Sequence, residues 1–173
     1  SFVRRDGIRQ ALFLFGDAGQ TATVSNLAGF NQSVTLSSEG FFSLAIPSTF
    51  QQSGIGVRNS GFKVESGKAI AGYFINRASA TTDMTYLLDG AALGTNYVIA
   101  SMGAGFGEGS QAAIHATQND TVVTFTPKGG APIVITLQAG ETYKYAGGVT
   151  DITGSFVSST KPVAVFSGHN CAQ

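Results

Sequence analysis

The residues with the widest chemical reach in this 173-residue chain are His169, Asn170 and Cys171, in the closing stretch GHNCAQ. Cys171 is the only cysteine and His169 one of two histidines. A Cys–His nucleophilic pair needs a thiolate held by a neighbouring imidazolium and an oxyanion hole. Positions 169 and 171 share one face of an extended strand, but no acid and no Gly-rich elbow accompany them. A catalytic corner is therefore disfavoured. A zinc site wants three or four ligands at loop spacing. His115 is the only other imidazole, and a shift-and-compare alignment sets it against Leu14, which predicts a packing role. Calcium needs clustered oxygens, and Asp83, Asp89, Asp120 and Asp151 are scattered. Half of a disulfide and a cut chain end remain as readings of Cys171.

Other chemical signatures are weak. GAGFGEGS (103–110) has the glycines of a dinucleotide loop without the βαβ frame that such a loop requires, so it reads as a strand connection. No GxSxG, HExxH or paired-carboxylate pattern is present. The expectation is a non-enzyme with no catalytic residue, no metal site and no cofactor. Charged residues are only 12% and net charge is zero, which argues against a nucleic-acid footprint or a basic membrane face. Arg4, Arg5, Asp6 and Arg9 form the one charge cluster and read as a solvated loop. No apolar run reaches the length of a membrane-spanning helix.

The elements that position these residues are strands. TVVTFTP and TATVSN alternate apolar and polar residues with period two, and Gly- and Asn-rich turns separate the runs. Pro162 reads as a strand start, and YLLDGAALG (86–94) as at most a single helical turn. The pattern is also written twice. A slide of 101 residues lays 11–26 on 112–127, and after an eight-residue deletion a slide of 93 lays 61–74 on 154–167, pairing Lys68 with Lys161. The expected fold is all-β, with two tandem antiparallel β-sandwich-like units, 1–78 and 79–173, the second carrying a Gly-rich connection. The counterpart of NYVIASM (96–102) falls upstream of Ser1, so the first unit is expected to lack its first strand. Truncation, or supply of that strand by another chain or by a distant part of the protein, would each account for this. GFFSLAIPSTF (40–50) lies where the second repeat is shortened, which makes Phe41, Phe42 and Phe50 the expected contact surface.

TDMTYLLDGAALGTNYVIAS (82–101), with Leu93-Gly94-Thr95, and SSTKPVAVFSGHNC (158–171) together resemble the amino-terminal domain of IgGFc-binding proteins. The residues that carry the closing motif are Lys161, Pro162, Phe166, Gly168, His169 and Asn170. The family occurs in secreted mucus proteins of animals and in large bacterial surface proteins, and the sparse cysteine leans bacterial. The resemblance implies a non-enzymatic module of the cell exterior or cell surface, working in adhesion or surface display. It also implies a disulfide partner for Cys171 outside this chain, and truncation after the second unit. Fc binding is not carried over, because no residue here can be tied to it. Expected partners are a protein or glycan at a surface, with self-association as a further expectation. The alternative function is a structural subunit of an extracellular filament or layer, assembled by strand donation or edge pairing.

Overall fold

The computed structural model describes residues 9–52, 54–77, 82–103 and 109–169. Strands dominate: β1 (Arg9–Phe15), β2 (Thr21–Ser25), β3 (Asn31–Thr35), β4 (Phe41–Ile46), β5 (Gly56–Arg58), β6 (Lys63–Ser66) and β7 (Ala71–Arg77). There follow β8 (Thr82–Tyr86), β9 (Gly94–Val98), β10 (Ser110–Ala116), β11 (Thr121–Thr126), β12 (Ile133–Leu137), β13 (Thr142–Gly148) and β14 (Phe156–His169). The named strands pair antiparallel throughout. Short 3₁₀ turns span Ser48–Phe50 and Gly90–Ala92. The second lies in the stretch with helical promise, and the Asp89 carboxylate caps it by accepting from the Ala91 N–H at 2.8 Å.

Two compact units emerge. One holds Arg4–Gln51 and Phe62–Leu88, the other Gln52–Gly61 and Asp89–Gln173; they are called here the N-terminal and C-terminal units. The N-terminal unit contains a four-stranded sheet, β4-β1-β7-β8, and a three-stranded sheet, β3-β2-β6. Leu12, Leu14, Ala22, Val24, Val34, Leu44 and Ile46 are buried in its core. The C-terminal unit is built on a seven-stranded sheet, β12-β11-β14-β10-β13-β5, with β9 also on β14. Its core includes Ile99, Ile114, Val123, Phe125, Leu137, Tyr143, Val157 and Val163. Both cores follow from period-two alternation, which gives each strand one apolar face.

One pairing scheme runs through both units. β1 pairs β4 and β7 as β10 pairs β13 and the second half of β14, while β2 pairs β3 and β6 as β11 pairs β12 and the first half of β14. Pro162 lies inside β14, between the Val123↔Ser159 pairing and the Ala116↔Val163 pairing. There, between the two ladders, its missing N–H costs least. The expected strand start is thus the hand-over point of one long strand.

The ladders revise the alignment of the first strands. Leu14 lies opposite Phe42 and Gly72, and Ile114 lies opposite Tyr143 and Val165. Ile114, not His115, therefore takes the place of Leu14, and His115 falls level with Phe15. The turn after β10 is one residue longer, and a one-residue slip moves every side chain to the other face. The two turns nevertheless close alike, through left-handed residues at Gly19 (φ 72°) and Asp120 (φ 54°).

Candidate functional site: an aromatic sheet face and the strand edges

From Ala11 to Phe15, β1 is apolar on both faces. Leu12 and Leu14 point into the core, so Ala11, Phe13 and Phe15 point outward by alternation. The neighbouring strands add Phe41, Ser43 and Ala45 from β4, Ala71, Tyr73 and Ile75 from β7, and Met84 and Tyr86 from β8. Cross-strand registry brings these into rows: Phe15 opposite Phe41, Phe13 opposite Ser43 and Tyr73, Tyr73 opposite Tyr86, and Ile75 opposite Met84. The rings form a continuous ladder. Centroids are 5.7 Å apart for Phe13–Phe41, 5.1 Å for Phe15–Phe41, 6.0 Å for Phe15–Tyr73 and 5.3 Å for Tyr73–Tyr86. Phe15, Tyr86 and Met84 are 40%, 48% and 60% exposed, a large apolar surface for a sheet face with no charged side chain in these rows.

The three phenylalanines singled out from the sequence take different places. Phe41 belongs to this outer face. Phe42 packs against the core, and Phe50 forms an edge-to-face triad with Phe30 (5.4 Å) and Phe62 (6.2 Å) on the same core. Phe13, Phe15, Tyr73 and Tyr86 were not singled out. The readable sign was ALFLF, a strand apolar on both faces.

The closing motif lies along β14, with Asn170 and Cys171 outside the described residues. The Lys161 ammonium donates to the Asn119 carbonyl at 2.6 Å, in the β10–β11 turn. Its repeat partner Lys68 reaches the equivalent turn, donating to the Asp17 carboxylate at 2.9 Å. The Pro162 carbonyl accepts from the Thr117 hydroxyl at 3.5 Å and the Gly168 carbonyl from Ser101 at 2.9 Å. Phe166 lies opposite Ala113, and His169 opposite Ser110. The Tyr97 hydroxyl donates to the Val163 carbonyl at 2.7 Å and accepts from the Gly94 N–H at 2.6 Å. That bond joins the LGT stretch to the KPVAVFSGH stretch.

The two histidines stand at opposite ends of β10, five residues apart along the ladder, or about 17 Å. His115 Nδ1 lies 3.0 Å from the Thr142 hydroxyl, and Gly61 packs so closely on the imidazole that a Cβ there would clash with the ring. Burial lowers the pKa of His115 from 6.5 to about 4, so the ring is neutral. No group of three or more His, Cys, Asp or Glu suited to a metal occurs among the described residues. No described helix is long and apolar enough to cross a membrane.

A family model described as IgGFc binding protein matches residues 83–173, just over half of the 173-residue chain. The chain belongs to the IgGFc binding protein family. No match is found among curated proteins or among solved structures. The IgGFc-binding match covers most of β8 and all of β9–β14, including the Tyr97 bond between the two motif stretches. β1, β4 and β7 lie outside it, so most of the aromatic ladder belongs to this chain beyond the matched residues.

Proposed function

We infer that this chain is a non-enzymatic extracellular binding module that engages a protein partner through the outer face of β4-β1-β7-β8. The observation that carries the reading is the aromatic ladder of Phe41, Phe13, Phe15, Tyr73 and Tyr86, half-buried in its middle and exposed at Phe15 and Tyr86. Its geometry favours protein over glycan. A sugar chain stacks on rings laid flat, but three of the four ring pairs meet at 68°, 87° and 68°. Between the rings, the side-chain hydrogen-bonding groups are Ser43 and the two tyrosine hydroxyls. Edge-to-face aromatic clusters with few polar groups suit an apolar protein patch, where Tyr and Phe anchors concentrate binding energy. Family membership supports a binding role and placement at the cell exterior or surface.

The test compares native chain with a Phe15→Ser/Tyr86→Ser double variant, both sites being exposed. Immobilised on beads, the two are exposed to an extracellular protein fraction and, separately, to a glycan array. The expected result is a protein retained by the native chain and weakened about tenfold or more by the variant. Equal retention by both, or binding on the glycan array alone, would refute this reading.

A second reading is a subunit of an extracellular filament or layer. It is favoured by the outer edges of β4 and β6, which pair with no strand among the described residues. Exposed edges template association. Concentration-dependent sedimentation of the intact chain tests it, and a single species across the accessible range would count against it.

A further inference from the structure

The C-terminal unit shows what fills the second of these edges. β9 lies along the first half of β14, in the register Phe156↔Val98, Val157↔Tyr97 and Ser158↔Asn96. The Ile99 N–H donates to the Ser155 carbonyl at 2.8 Å, so Val157, two residues on, exchanges both backbone bonds with Tyr97. On the core side Tyr97 packs against the hydrophobic cluster and Ile99 is buried within it. The Tyr97 hydroxyl then reaches the Val163 carbonyl. Beneath this strand Val157 and Val163 are fully buried.

β6 is the equivalent of that half of β14: Val64 lies opposite Val24 as Val157 lies opposite Phe125. Its hydrogen-bonding phase is fixed by β2. The Leu36 N–H bonds the Gln20 carbonyl and the Asn26 N–H the Phe30 carbonyl, so Ala22 and Val24 bond across to β3, and Thr23 and Ser25 to β6. Their partners Glu65 and Lys63 therefore face β2, and Val64 and Ser66 direct their N–H and C=O to the outer edge. No described residue bonds those groups. The core side is uncovered as well. Phe62, Val64 and Ile70, level with Ser155, Val157 and Val163, are only half-buried. Backbone and core thus lack the same thing, one strand with the spacing Tyr-x-Ile.

We propose that the outer edge of β6 receives a strand of the β9 type from a further repeat of this kind, antiparallel, with its tyrosine opposite Val64. The inference rests on the edge-assembly reading and names the edge and its donor. The donor lies outside residues 1–173, since β9 itself is held on β14. Directly opposed residues share a face. The donor tyrosine covers Val64 and sends its hydroxyl to the Ile70 carbonyl, as Tyr97 does to Val163, and the donor isoleucine covers Phe62. On the solvent side stand Lys63 and Glu65, exposed and ion-paired at 2.6 Å, where β14 has Phe156 and Ser158. Charge there deters indiscriminate pairing. It also reads the donor: the residue opposite Lys63 is favoured when acidic and the one opposite Glu65 when basic.

The experiment uses the whole chain and a synthetic peptide, GTNYVIAS, the sequence of residues 94–101. Hydrogen exchange is followed residue by residue. Exchange of the Val64 and Ser66 amides is expected to slow about tenfold when free peptide exceeds its dissociation constant about tenfold, with β4, β9 and β12 unchanged. Tyr97→Ser in the peptide should abolish the protection. A peptide with Asn96→Lys and Val98→Glu should protect at lower concentration than one with Asn96→Glu and Val98→Lys. Exchanging the two exposed charges on the chain, Lys63→Glu with Glu65→Lys, should reverse that order. No slowing at Val64 and Ser66 at about millimolar peptide, the effective concentration of a short tether, overturns the proposal. Slowing at β4 or β12, faster exchange of β9, or equal action of a scrambled peptide or of the two charged peptides overturns it as well. If the chain self-associates while β6 ignores the peptide, the donor is wrong and edge assembly survives. If the chain stays monomeric and β6 takes the peptide, the slot stands and the chain does not build a layer by itself. If it stays monomeric and ignores the peptide, both fall.

Discussion

In the N-terminal unit the outer face of the β1 sheet carries Phe13, Phe15, Phe41 and Tyr73, with Phe15 40% exposed. At the equivalent positions the C-terminal unit carries Ala113, His115, Thr142 and Phe166, with Ala113 and Thr142 only 5% and 4% exposed. The ladders are the same, so backbone pairing does not explain the difference. Side-chain size does. Ala113 and Thr142 stand where Phe13 and Phe41 do and leave room for other parts of the chain to close over that face, which buries Lys144 and brings Gly61 against the His115 ring. Large rings on β1 and β7 fill their own face and leave it presented outward. The edges differ too: β5 lines the outer side of β13 and β9 that of the first half of β14, while β4 and β6, the equivalents of those two strands, pair with no further strand among the described residues. A duplicated framework has thus become one enclosed copy and one presenting copy.

The largest test of that contrast is to open the enclosed copy. Phe125 is fully buried and contacts the rings of Tyr143 and Tyr145 at 6.5 Å and 4.8 Å. Phe125→Ala should cost about 3–5 kcal/mol, read as faster exchange of β10–β14 amides. Equal acceleration in β1–β4 would mean that the two cores are not independent. Next in size is acid sensitivity confined to the enclosed face. Burial holds His115 neutral, with its pKa lowered from 6.5 to about 4. Below about pH 6.5 the unfolded chain takes up a proton that the folded chain refuses until about pH 4. Stability is therefore fully present above pH 6.5, falls between 6.5 and 4 by about 3 kcal/mol at most, and levels off below. His115→Gln should flatten that limb of a denaturation series, and an unchanged limb would place the titration elsewhere.

Strand period, turn positions and the duplication were legible in the sequence because each is a local pattern or a comparison of the chain with itself. Three features were not. The one-residue offset at β10 was hidden because a single extra turn residue is trivial in an alignment and inverts both faces in a strand. β5 was hidden because Gly56-Val57-Arg58 is too short for any period to show, and its partners lie 84 to 88 residues away. The aromatic face was half visible: ALFLF announces two apolar faces, but only tertiary context decides which one water reaches. The closing motif was legible as a motif and not as a mechanism. Lys161, Pro162 and Gly168 turn out to hold β14 to neighbouring turns and strands.

A smaller prediction concerns β9, the strand with no described equivalent in the N-terminal unit. Tyr97→Phe removes the hydroxyl that joins Gly94 to Val163. Two hydrogen bonds in a half-buried site lead to an expected loss of about 1–2 kcal/mol. Exchange should quicken first along β9, and an unchanged denaturation midpoint would show that strand pairing alone suffices to hold it.

The smallest effect separates the two repeat lysines, which do the same job by different physics. Lys68 ion-pairs with Asp17 across open solvent, both side chains about two-thirds exposed, and the Lys68 hydrogen bond holds the Asp17 carboxyl below its usual range. Lys161 instead donates to the neutral Asn119 carbonyl. Salt screens the first interaction and leaves the second nearly intact. Lys161→Met should lower stability by roughly 1 kcal/mol or less, equally in low and high salt. Lys68→Met should be detectable only at low salt and above the depressed pKa of Asp17, since protonating that carboxyl removes the pair. If both variants respond to salt alike, the lysines are interchangeable surface charges. If only Lys68 does, the duplicated lysine is electrostatic in the presenting copy and a backbone tether in the enclosed one.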